Sequence, residues 1–140
     1  MMRGDIISFP DFVFRDGGHA NKLLVIINNH TTCHGMLYGV LTTSQGDKSR
    51  TRDQGCQPMR KEFFFLSGNF FPNDTWLLLL REPVLLPIAN LIEKIQNSQC
   101  KIVARLTEQK VNEIVNCIDR HCSDWLSRYH CDLLDIRYKG

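Results

Sequence analysis

The sequence has 140 residues, 43% of them apolar and 23% charged, with a formal net charge of +2. That length suits one domain with a real core and leaves no comfortable room for two, and so small a net charge does not by itself demand a nucleic-acid partner. A membrane-spanning helix is excluded, because the longest greasy stretch, Trp76 to Leu80, is far too short to cross a bilayer.

Gly4 to Phe9 alternates well enough for a half-buried strand that Pro10 should stop, with Asp11 to Phe14 a second extended piece. Arg15 to Asn21 reads as a loop, its paired glycines free to take unusual backbone angles. Lys22 to Ile27 is a cation followed by five apolar residues, the pattern of a strand buried on both faces. A polar turn from Asn28 to Gly35 leads to a returning strand, Met36 to Leu41, which flows into Thr42-Thr43-Ser44-Gln45. Ser44 to Met59 is polar and basic and reads as an exposed, mobile loop. Glu62 to Leu66 and Thr75 to Leu80 read as core strands, and Val84 to Pro87 as an edge segment after the break at Glu82-Pro83. Ile88 to Ile95 can form two helical turns with Leu91, Ile92 and Ile95 on one side.

Lys101 to Leu106 is a last strand candidate. Thr107 then serves as helix N-cap with Glu108 in the favourable first turn. Val111, Ile114, Val115, Ile118, Cys122, Trp125 and Leu126 recur at helical spacing, an amphipathic helix of about five turns. The tail from Tyr129 fits either more helix or a strand. The expected fold class is mainly β with a C-terminal helix (α+β), a small curled sheet or barrel capped by that helix. One domain covers 1–140, with 119–140 a helical extension.

Several residues invite chemistry. If the strands containing Lys22 and Thr42-Thr43 pair antiparallel, cation and hydroxyls meet at one end of the sheet, a place to hold a phosphate. At most one of Thr42 and Thr43 should face the site, since neighbours on a strand point apart. Lys48, Arg50, Arg52, Arg60 and Lys61 form a basic run interrupted only by Asp53, which reads first as a solvated loop and second as a backbone-tracking surface. His19, just before Lys22, is either an acid/base group, since an exposed imidazole titrates near pH ~6.5, or a loop histidine without a role. His30 and His34 read as turn residues. Phe70 and Phe71 read as core or interface residues, or as base-stacking rings if exposed. Cys117, His121, Cys122, His130 and Cys131 match no zinc-finger spacing, so no metal or other cofactor is expected. The opening Met1 to Asp5 has no apolar signal core, which points to the cytoplasm and to six reduced, mostly buried cysteines.

In order, Gly4-Asp5-Ile6-Ile7 with its Phe-Pro/Asp-Phe piece, Gly18-His19 through Asn28, Thr42-Thr43-Ser44-Gln45, and Glu82-Pro83 with the segments from Leu91 to Ile118 resemble the MazF/PemK-like toxins. These are sequence-specific mRNA endoribonucleases of toxin–antitoxin modules. The resemblance implies a dimeric SH3-like barrel of the MazF/PemK/CcdB kind that cuts single-stranded RNA without a metal, held in check by a cognate antitoxin protein. It favours Thr43 over Thr42, because the Thr-x-Gln spacing to Gln45 fits the family better. It departs at Lys22-Leu23, where the family usually has Arg-Pro, and at Arg81, where some members carry an acid. Lysine keeps the charge but loses the planar fork that grips phosphate by two hydrogen bonds.

Cleaving RNA without a metal requires a base for the 2′-hydroxyl, an acid for the leaving 5′-oxygen and donors for the transition-state charge. The expected catalytic set is Lys22, Thr43 and His19, with Gln45, Lys48, Arg50, Arg52, Arg60 and Lys61 binding RNA. The other reading is a degenerate barrel that binds nucleic acid or protein and cuts nothing.

Overall fold

The computed structural model describes residues 3–13, 17–29, 35–44, 53–68, 70–80 and 82–139, with positions 11, 19 and 20 described by backbone alone. Within these lie eight strands, β1 (Asp5–Val13), β2 (His19–Ile26), β3 (Met36–Thr43), β4 (Gly55–Gln57), β5 (Glu62–Phe65), β6 (Thr75–Leu78), β7 (Val84–Pro87) and β8 (Lys101–Arg105). Three helices accompany them, α1 (Ile88–Gln96), α2 (Glu108–His121) and α3 (Arg128–Leu134). The strands form one antiparallel open sheet in the order β4-β5-β6-β3-β2-β1-β8, with β7 beside the first half of β3 and β6 beside its end. The fold is mostly β with helices, α+β as expected. No described helix is long and apolar enough to cross a membrane.

Alternation along the strands divides the apolar residues into two cores. Ile6, Val25, Ile27, Tyr38 and Val40 face α2 and α3, whereas Ile7, Leu24, Ile26, Leu37 and Leu41 face α1 through Leu91. The run Leu24 to Ile27 is at most 1% exposed, so β2 is buried on both faces as its sequence predicts. Thr107 caps α2 by accepting a hydrogen bond from the Lys110 amide at 3.2 Å.

Several elements differ from the sequence reading. Pro10 does not end the first strand. Pairing with β8 stops at Ser8, and a bulge on the β2 side between Phe9 and Phe12 takes up the irregularity, so Pro10 interrupts no ladder. β2 begins at His19, inside the stretch expected to be loop, and β4 lies inside the stretch expected to be a mobile loop. The sixth strand ends at Leu78 rather than Leu80, and Ile92 on α1 is 41% exposed. The long helix stops at His121. Ser123 Oγ donates to the Asp119 carbonyl at 2.8 Å, the chain makes a 3-10 turn over Ser123–Trp125, and Trp125 is 74% exposed instead of facing the core.

The cysteines are not all reduced. Cys56 of β4 and Cys117 of α2 form a disulfide, their Cα atoms 5.7 Å apart, while Cys100, Cys122 and Cys131 are buried free thiols. The packing of β4 on α2 brings together two residues 61 apart in sequence. A cross-link closing that span stabilises the folded chain by about 4 kcal/mol in the chain-entropy account.

His130, on α3, lies edge-on to Tyr38 with ring centroids 5.9 Å apart, and its Nδ1 has no hydrogen-bond partner among the described residues. Burial pushes its pKa below the ordinary value, with Glu82 opposing part of the shift. The unfolded chain therefore binds the proton more readily. The histidine's contribution is fully present above pH ~6.5 and is lost as pH falls through the lower folded value. Melting followed across this range should show stability falling on the acid side, with a shallower fall in His130→Gln.

Candidate functional site

The candidate site lies where β2 begins and β3 ends. The pairs Leu24 with Leu41, Val25 with Val40 and Ile26 with Gly39 fix the register, and beyond the first of them Lys22 and Thr43 lie at the adjoining ends of the two strands. Lys22 Nζ donates to the Thr42 carbonyl at 3.1 Å, which holds the ammonium against the end of β3. Thr42 is 4% exposed and its hydroxyl donates to the Leu23 carbonyl at 2.8 Å, so it braces the two strands, while Thr43 is half-buried on the alternate face. Thr43 is in turn opposite Trp76, a fully buried ring that packs 4.8 Å from Phe64 and fixes β6 alongside. Lys22 and both threonines therefore border one cleft, with the Thr42 hydroxyl engaged by the Leu23 carbonyl.

Around them is a small cleft of about 110 Å³, lined by Asn21, Lys22, Leu23, Thr42, Thr43 and Ser44 from β2 and β3, and by Pro72, Asn73 and Thr75 from the approach to β6. Thr75 Oγ1 donates to the Asn73 carbonyl at 2.9 Å, shaping that wall. Sequence reasoning missed this second wall. Asn73-Asp74 is visible as a turn, but only the pairing of β6 with the end of β3 brings it here. The cleft offers one positive charge with hydroxyl and amide groups around it, a set suited to an oxyanion such as a phosphate.

The other expected residues gather less well. His19 opens β2 at odd separation from Lys22, so strand alternation gives the two positions opposite parity, and only its backbone is described. Arg60 and Lys61 occupy the turn before β5, where Glu62 is opposite Leu78, whereas the cleft borders Thr75, opposite Phe65 at the other end of β5. Arg60 Nε is 3.4 Å from Glu62 Oε1. These two cations therefore do not share the cleft with Lys22. Gln45, Lys48, Arg50 and Arg52 lie outside the described residues, as do His30, His34 and Arg81. Phe71 is 1% exposed and packs 5.3 Å from Phe65, with Phe70 6.0 Å from the same ring, so both serve the core.

No protein-family model and no curated protein matches this chain. Among the described residues no group of three histidine, cysteine or acidic side chains could hold a metal ion, and Cys117 is taken by its disulfide.

Proposed function

We propose that the chain is a metal-independent, sequence-specific endoribonuclease that cuts single-stranded mRNA, the toxin of a toxin–antitoxin pair, with its open sheet a variant of the SH3-like MazF/PemK barrel. One observation carries the reading: the Lys22 ammonium, fixed on the Thr42 carbonyl, shares a cleft with Thr43. A phosphodiester there would meet positive charge from Lys22 and a hydroxyl from Thr43, both serving the charge that develops when the 2′-hydroxyl attacks. The exchange of partners along β3, from β7 to β6, suits a curling sheet. Working as a homodimer belongs to the proposal. Ile102 and Val103 on edge strand β8 are 41% and 46% exposed, apolar surface that a second copy would cover; the expected result is sedimentation well above the 16.2 kDa monomer, and a monomer alone would count against it. The antitoxin partner would bring an acidic, extended segment to the basic surface.

A second reading, a barrel that binds RNA or a protein without cutting, is favoured by a specific feature. No described residue lining the cleft is of a type that ordinarily exchanges a proton near neutral pH. Lys22→Arg separates the two. Restoring the guanidinium fork should raise cleavage of a weak nuclease by about ten-fold, the worth of one added charge-assisted hydrogen bond, and should leave RNA intact with a pure binder.

A further inference from the structure

The Cys56–Cys117 disulfide does not sit in the apolar core alone. Both half-cystines line an open cleft of about 380 Å³ between the β4–β5 hairpin and α2. Cys56 is half-buried on a three-residue edge strand, opposite Phe63, whereas Cys117 is 2% exposed on the inner face of α2. Lys110, Glu113, Arg120 and His121 complete the charged wall, and Lys110 Nζ is 3.1 Å from Glu113 Oε2. That pair neutralises itself, so Arg120 leaves the cleft positive.

We infer that this disulfide is a thiol-exchange site for small anionic thiols, attacked at Cys56 and tethering β4 to α2 only while oxidised. The cleft draws in a thiol that carries carboxylates, and the more open sulfur, Cys56 Sγ, receives its thiolate. A bond forms between the incoming sulfur and Cys56 Sγ as the Cys56–Cys117 bond breaks. Its electron pair leaves on Cys117, in the cleft that Arg120 and His121, three and four residues further along α2, also line, and that sulfur takes up a proton. A second thiolate then attacks the ligand's sulfur in the mixed disulfide, releasing Cys56 as a thiol and the small molecule as its own disulfide. Two small thiols are oxidised and the protein disulfide is reduced. Burial pushes the Cys122 and Cys131 thiols above the ordinary value, with Lys61 opposing this at Cys122, which keeps both protonated and poor nucleophiles toward the disulfide. The inference stands whether or not the chain cuts RNA.

The test uses the folded, oxidised chain at neutral pH with glutathione, an anionic thiol, and cysteamine, a cationic one, at equal thiolate concentrations. Acid-quenched samples are read by mass and by thiol titration. The expected result is a transient glutathione adduct on Cys56, two new thiols at the end, and a rate about ten-fold above that with cysteamine. Arg120→Ala alone, which leaves the Lys110–Glu113 pair in place, should bring the two rates together. A bond that yields only after the chain is unfolded, equal rates in the unaltered chain, or an adduct on Cys117 would each overturn it.

Discussion

RNA incubated with Lys22→Ala should be cut about 10²- to 10³-fold more slowly than with the unaltered chain, the loss associated with removing one transition-state donor. Lys22 is half-buried and held by the Thr42 carbonyl, and that carbonyl belongs to a residue whose own hydroxyl already bonds β2, so the strand ends should persist without the amine. Thr43→Ala should cost about ten-fold, the worth of one neutral hydrogen bond, because Thr43 contributes a dipole where Lys22 contributes a charge. Thr42→Ala should mainly lower stability by unlinking β3 from the Leu23 carbonyl. Rates with and without each substitution, measured on chains of matched melting temperature, separate these roles. If Thr42→Ala proved more damaging to the rate than Thr43→Ala at equal stability, the assignment of faces would be wrong.

Gly4→Ala should destabilise the fold by about 3 kcal/mol or more. Gly4 has φ +98°, and an added Cβ would stand 2.8 Å from the Leu106 carbonyl oxygen and 3.3 Å from Val111 Cγ2. The residue joins β2, β8 and the entry to α2, since its amide donates to the Ile26 carbonyl at 2.7 Å and its carbonyl accepts from the Leu106 amide at 2.8 Å. The Leu106 carbonyl is backbone, and its residue is tied to Gly4 through its own amide, so that wall cannot simply turn aside. Backbone strain of about 1–3 kcal/mol adds to a similar overpacking cost. Gly17 is the control: its φ is +89° with nothing within 4 Å of an added Cβ, so Gly17→Ala should show the strain alone. Denaturant midpoints that fall equally in the two variants would contradict the close approach at Gly4.

What could be read from the sequence was what short-range pattern determines. The apolar run of β2 announces burial on both faces, and Thr107 before Glu108 announces the start of α2; both rest on neighbours along the chain. That Lys22 and Thr43 border one cleft was also legible, because one hairpin links their strands. The rest depends on contacts with no local signature. β4 is three residues of Gly, Cys and Gln without apolar alternation, stabilised by β5 and by a disulfide to a helix 61 residues away. The end of α2 carries no Gly or Pro, and its apolar spacing runs on through Trp125 although the backbone has already turned at Cys122. The wall of the cleft from Asn73 and Thr75 required knowing that β3 changes partners near its end.

The most direct test of the proposed nuclease is incubation of the purified chain with a long single-stranded RNA in EDTA, followed by mapping of new ends. The expected result is cuts at one short recurring sequence, each leaving the phosphate on the upstream fragment as attack by the 2′-hydroxyl requires, and absent with Lys22→Ala. RNA that stays intact, or is cut only when a divalent metal is restored, would contradict it.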